Sequence, residues 1–315
     1  MNKHSSIKSA GSLLERAAEM YDFGAALRGG PAAVAPVVEV EVAPVAPVIA
    51  PVEPNPIPNA HVPMAARPTS SNFASISRER LAAGNFIVPD GPVTGLSEEF
   101  RIVKRQLLLA ARGGKGVDAI EHGERILICS AHPNEGKTFC AINLALSMAS
   151  EKDNRVLLVD ADFAKPSVLS TLGIENSPGF MDALADPTSD AEKFIIETDV
   201  EGLSILPAGA QTNQDTEYLA ASRTATIIDQ LTRNDPSRII IFDSPPALAA
   251  SPASVLALHV GQTVMVVHAD ETTDSALRDA LSLLSGCDNV QLLLNRAKFS
   301  PTGRKFGNYY GYGAS

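Results

Sequence analysis

Chemistry is first legible in the segment SAHPNEGKTF, residues 130–139 of the 315-residue chain. An apolar run, RILIC, precedes it, and a helical pattern, FCAINLALSMA, follows. Gly-Lys-Thr at a strand-to-helix turn suits a phosphate group. Backbone amides wrap the oxygens, Lys137 reaches the β- and γ-phosphates, and the Thr138 hydroxyl coordinates magnesium at a helix N-terminus. Pro133, Asn134, Glu135, Gly136, Lys137, Thr138 and Phe139 make up the binding stretch. The first glycine of the pattern G-x-x-x-x-G-K-[ST] is replaced by Ala131, whereas Gly136 is kept. Asp160 and Asp162 end the next apolar run, RVLLVDAD, and Asp243 ends a third, RIIIFDSPP. A lone strand-ending Asp often only caps a turn. Three such carboxylates beside a phosphate loop instead converge on one metal–phosphate group. The expected chemistry is nucleotide binding with magnesium.

Positioning these residues requires a particular architecture. Apolar runs (RILICS, RVLLVDAD, LSILPAG, RIIIFDSPP, QTVMVVHAD, VQLLLNR) alternate with helical stretches. Helices are expected at 76–85, at 97–113 with Ser97 as N-cap, at 138–151, at 216–233, near 252–259 and at 273–285. Near-continuous apolar strands separated by helices predict a doubly wound, mostly parallel α/β sheet covered on both faces.

Composition divides the chain. Residues 1–30 hold a short helix at 12–22, and 31–75 form a Pro/Ala/Val-rich disordered linker with ten of the chain's 22 prolines between 31 and 68. Residues 76–300 form the catalytic-type domain, and 301–315 a flexible tail. The formal charge is −10, which argues against a general nucleic-acid binder. Three widely spaced cysteines form neither a disulfide framework nor a zinc pattern, and read as small buried residues of a reducing cytoplasm. No segment has signal-peptide or membrane-span character, so membrane attachment is expected only through a partner.

Tyrosines number five, and three of them (Tyr309, Tyr310, Tyr312) lie in the last seven residues among glycines. Such a tail is either a mobile substrate or an aromatic docking element. Glu98, Arg101 and Lys104 share one helical face. A spacing of that kind usually makes a solvated, self-paired surface.

SAHPNEGKTF, LLVDADFAKPS and IIIFDSPP together resemble the Walker A, A′ and B motifs of bacterial tyrosine kinases, the cytoplasmic partners of polysaccharide copolymerases. The likeness is nearest to the exosortase-associated tyrosine autokinases. It implies a P-loop NTPase fold of the MinD/ParA-like type and ATP with Mg2+ as cofactors. Lys137 and Thr138 would bind the ATP–magnesium group, and Asp162 would hold the metal. Asp160 would orient or deprotonate a tyrosine, and Asp243 would hold the metal through water. Asn295 resembles a strand-end Asn that reads adenine, although a plain turn Asn fits equally well.

Beside a kinase-like site the tail reads as substrate, making Tyr309, Tyr310 and Tyr312 the expected autophosphorylation sites. Glu98, Arg101 and Lys104 match the family motif E-x-x-R-x-x-R, with Lys for the last Arg, and imply a homo-oligomeric ring. The resemblance further implies an autokinase regulating exopolysaccharide synthesis or export. It would lie at the inner membrane through a copolymerase activator. Ala164, followed by Lys165, and Pro252 stand where relatives carry Arg and an acid. Two other readings share the motifs: a MinD/ParA-like switch ATPase, against which His132 and the tyrosine cluster speak, and a non-catalytic nucleotide-binding regulator of the copolymerase.

Overall fold

Central strands are buried on both faces, which is why the apolar runs do not alternate with polar residues. In chain order the strands are β1 (Phe73–Ala74), β2 (Arg125–Ser130), β3 (Arg155–Asp160), β4 (Ile196–Thr198), β5 (Leu203–Leu206), β6 (Arg238–Asp243), β7 (Gln262–His268) and β8 (Val290–Asn295). The helices are α1 (Arg78–Ala83), α2 (Gly95–Arg112), α3 (Lys137–Ala149), α4 (Val168–Leu172), α5 (Phe180–Ala185), α6 (Asp215–Ala220), α7 (Ser222–Asn234), α8 (Pro252–Leu256) and α9 (Asp274–Leu283). This computed structural model describes residues 72–297. The helix expected at 12–22, most of the proline-rich stretch and the tail with Tyr309, Tyr310 and Tyr312 lie outside the described residues.

One sheet of eight strands has the order β1-β4-β5-β3-β6-β2-β7-β8. Only the β4–β5 pairing is antiparallel, so the expectation of a mostly parallel, doubly wound sheet holds. Consecutive residues of one strand feed opposite cores. Leu127 and Cys129 pack with Phe180 and Phe242 on the face covered by α5 to α9. Ile126 and Ile128 pack on the other face, against α1 to α4.

Several local expectations are corrected. Helix α2 starts a turn early: Thr94 is the N-cap, and Ser97 is its reciprocal partner in a capping box. The helix expected at 216–233 is broken at Ala221, whose extended backbone separates α6 from α7. That kink lets Leu219 and Ile227 both reach the core, and the helical spacing of apolar residues continues through it unmarked. Strands β1 and β4 and helices α4 and α5 were too short for periodicity to reveal. Phe73 and Ala74 pair with Glu197 and Thr198 of β4, so the end of the expected linker (residues 31–75) is sheet. Asp199 anchors this entry, accepting from the Ile76 amide at 2.9 Å and the Ser75 hydroxyl at 2.6 Å.

Candidate functional site

Strand β2 runs into the loop at 131–136, and α3 begins at Lys137. Two loop residues take left-handed backbone, Asn134 at φ 66° and Gly136 at φ 95°. At Gly136 the positive φ favours glycine, and an added Cβ would also displace the side-chain nitrogen of Asn295. Ala131 does not have a positive φ and sits in the core. Its backbone therefore does not need the glycine of the general pattern.

Lys137 is the first residue of α3 and only 9% exposed. Its Nζ lies 3.6 Å from Asp162 Oδ2. Thr138 follows, with its hydroxyl 3.4 Å from that of Ser167. Asp160 and Asp243 end neighbouring parallel strands and are direct register partners. The five residues picked from three separate motifs therefore meet at one carboxyl edge of the sheet, where open α/β sheets bind ligands.

The carboxylates differ sharply. Asp160 Oδ2 accepts the Ser167 and Val168 amides, each at 3.0 Å, and Oδ1 accepts the Asp162 amide at 3.3 Å. It thereby holds the start of α4. Burial pushes its carboxyl up to about 6, and those amides pull it back only partly. Asp162 Oδ1 accepts the Lys165 amide at 3.2 Å. Asp243 is fully buried, and neither oxygen has a hydrogen-bond partner. Burial, with the Asp160 charge next, pushes it up to about 8. The Thr138 hydroxyl faces it and offsets this slightly, although its geometry stops short of a hydrogen bond. A buried carboxylate with two free oxygens beside a hydroxyl and a second carboxylate is an environment that a hydrated cation fits.

Other expected residues are placed as follows. Asn295 reaches the phosphate loop, where Nδ2 donates to the Glu135 carbonyl at 2.9 Å and Oδ1 accepts the Arg296 amide. Phe139 lies against Phe86, with ring centroids 4.9 Å apart, so its ring packs within the protein. Pro252 opens α8 as a buried first-turn proline. All three cysteines are buried, as expected. Burial pushes the Cys129 and Cys140 thiols up to about 11 and about 12.

The helix face of Glu98, Arg101 and Lys104 is not uniform. Arg101 pairs with Glu98 at the surface. Lys104 is instead buried against the end of α3, donating to the Ser147 carbonyl at 2.6 Å and pairing with Glu151 at 3.0 Å. Within its own chain the ammonium is thus occupied at the C-terminal end of α3, where it donates to one carbonyl and one hydroxyl, while Glu98 and Arg101 stand at the surface. Sequence reasoning missed Thr272, in the turn after β7. Its hydroxyl donates to the Glu135 carboxylate. The only available signal was a Thr-Thr pair where a parallel strand gives way to a helix.

The AAA domain family matches residues 124–297. A putative tyrosine-protein kinase, CapB of Staphylococcus aureus, is 26% identical over 240 residues, which are 76% of this chain and 99% of CapB. A longer relative, a putative tyrosine-protein kinase in the cps region of Klebsiella pneumoniae, is 31% identical over 148 residues, 47% of this chain and 20% of its own length. Among solved structures, the kinase domain of the Escherichia coli tyrosine kinase ETK superposes with a TM-score of 0.55 at 25% identity, covering 65% of this chain and 78% of that one. With the strand-end carboxylates, the phosphate loop and these likenesses agreeing, the chain belongs to the AAA domain family and is similar to bacterial tyrosine-protein kinases.

Proposed function

We propose that the chain is an ATP-dependent protein-tyrosine autokinase that regulates exopolysaccharide synthesis or export, activated by a membrane polysaccharide copolymerase. The observation that carries this reading is the convergence of Lys137, Thr138, Asp160, Asp162 and Asp243 on one edge of the sheet. Names of relatives in capsule and polysaccharide systems support the context.

Among the described residues no three His, Cys, Asp or Glu side chains form a metal-holding group. A cation here would therefore take a mixture of hydroxyl, carboxylate, water and phosphate oxygens, the set magnesium prefers. Thr138 and Asp162 would hold it directly and Asp243 through water, and the ion would neutralise phosphate charge.

The chain's own groups supply binding, orientation and proton transfer. The loop amides and Lys137 hold the phosphate oxygens, with Lys137 moving from its long contact with Asp162. Asp160 retains lone-pair capacity beyond its three amide bonds. It orients the incoming phenol and accepts its proton. The tyrosine oxygen forms a bond to the γ-phosphorus as the bond to the β–γ bridging oxygen breaks, releasing ADP. Tyr309, Tyr310 and Tyr312 are the proposed acceptors, reached between subunits of a ring in which Glu98 and Arg101 face a neighbour.

A mixing experiment tests this. A Lys137→Met chain with intact tyrosines is combined with an active chain carrying Phe at 309, 310 and 312, in ATP and magnesium. Phosphotyrosine on the inactive chain is expected. Its absence, with wild type phosphorylating itself, would rule out transfer between subunits. No phosphotyrosine on wild type, even with the copolymerase's cytoplasmic segment, would overturn the kinase reading.

A further inference from the structure

We propose that Glu135 and Thr272 form a positioning latch that couples the turn after β7 to the phosphate loop and thereby sets nucleotide affinity. The inference rests on the nucleotide-binding reading above and assigns Glu135 a role toward the protein, not toward the nucleotide. A buried carboxylate inside a loop that binds an anion is electrostatically adverse unless its charge is spent elsewhere. Glu135 is 4% exposed, and both of its oxygens are spent. Oε2 accepts the His132 amide at 2.8 Å, and Oε1 accepts the Thr272 hydroxyl.

Thr272 is itself fixed from behind. Its hydroxyl accepts the His268 amide at 2.9 Å while donating to Glu135, so its rotor has one productive setting. The turn at 268–272 closes on itself, with the Thr272 amide donating to the His268 carbonyl at 3.0 Å. Strand β8 completes the frame. The Ala269 amide donates to the Asn295 carbonyl at 2.9 Å, and Asn295 Nδ2 donates to the Glu135 carbonyl at 2.9 Å.

Glu135 lies between the two left-handed residues of the loop, Asn134 and Gly136. A loop with such residues has several accessible backbone states, of which only one aims its amides for a phosphate. The latch selects that state from outside the loop. Loss of the Thr272–Glu135 bond then releases a conformational restraint, and nucleotide binding must supply the ordering. Hydrogen bonds to charged groups are strong enough for this to cost roughly tenfold in affinity.

The test is equilibrium binding of a fluorescent ADP analogue with magnesium to full chains of wild type, Thr272→Val, Thr272→Ser, Glu135→Gln and the Thr272→Val/Glu135→Gln double variant. Unfolding midpoints without nucleotide are measured in parallel. Valine matches threonine in shape but lacks the hydroxyl, and serine keeps the hydroxyl but lacks the methyl. Expected are about tenfold weaker binding for Thr272→Val and Glu135→Gln. The double variant should be no weaker than the worse single one, and Thr272→Ser should lie within about twofold of wild type. In a kinase assay the loss falls on KM for ATP, with kcat retained, because the latch acts on binding and not on the transferred group. If valine lowers the midpoint, the serine comparison still decides: equal loss in both variants overturns the latch. Wild type that binds while Thr272→Val and Glu135→Gln bind equally well overturns the latch alone. Wild type that binds no nucleotide overturns the proposed function as well.

Discussion

Helix α3 has a buried lysine at each end, and the two are treated in opposite ways. At its C-terminal end Lys104 of α2 donates to the Ser147 carbonyl at 2.6 Å, reaches the Ser150 hydroxyl at 3.3 Å and pairs with Glu151 at 3.0 Å. At its N-terminal end Lys137 has one ionic contact among the described residues, 3.6 Å from Asp162. The same contrast separates the carboxylates, since Asp160 accepts three amides and Asp243 none. A buried charge partnered by its own chain holds that chain in place, as Lys104 holds α2 on α3 and Asp160 holds the start of α4, and Asp160 does so with lone-pair capacity to spare. A buried charge left short of partners is costly for the fold and is explained by a ligand that completes it.

The largest expected effect breaks the comparison at Lys137. Lys137→Met should lower autophosphorylation by about a hundred- to a thousandfold, the scale of losing a preorganised group that stabilises transition-state charge. Its unfolding midpoint should stay near wild type. A phosphotyrosine immunoblot and a thermal melt read both, and a folded variant with normal phosphorylation would remove Lys137 from the site.

Asp243→Asn sharpens the contrast from the acidic side. Without nucleotide or metal it should be at least as stable as wild type, because a neutral amide replaces a buried, unpartnered carboxyl. Magnesium-ADP is expected to raise the melting temperature of wild type and to leave that of this variant nearly unchanged. Clear destabilisation of the metal-free protein would mean that Asp243 supports the fold without any ligand.

Lys104→Met tests the other end. Breaking a buried, hydrogen-bonded ammonium should cost about 1–3 kcal/mol, or several degrees of melting temperature. Phosphorylation per folded molecule should be nearly unchanged. A loss of oligomer or activity with an unchanged melt would return Lys104 to an interface.

The smallest effect is expected at Asp199, a satisfied carboxylate nearer the surface. Burial draws its carboxyl upward, but the Ile76 amide, the Ser75 hydroxyl and Arg78 together outweigh it and hold the group below the usual range. A depressed folded value means that its contribution is present above the unfolded value of about 3.9 and is lost as pH falls through the lower folded value. Asp199→Asn should therefore narrow the stability difference between neutral pH and pH below about 4. Acid titrations of the two proteins that run strictly parallel would show that Asp199 does not anchor residues 75–78.

How much was legible beforehand follows from the range of the interactions involved. Strand-length apolar runs, Gly-Lys-Thr after one of them and Asp at the ends of two others are local patterns. They determined the parallel sheet, the phosphate loop and the edge at which Lys137, Thr138, Asp160, Asp162 and Asp243 gather. Short elements such as β1, with two residues, carry too few positions for any period to register. The direction in which a side chain on an amphipathic helix points was also beyond reach. Lys104 has the spacing of a surface residue, and only the packing of α2 on α3 turns it inward. Likewise the chemistry of similar Asp residues was set by how the chain turns and packs: amides two, seven and eight residues downstream donate to Asp160, while Asp243 is enclosed and left without a partner. Residue type and spacing determined which groups could act. Desolvation and partner count, which depend on how the chain folds around each group, decided which of them are left short of partners and need a ligand.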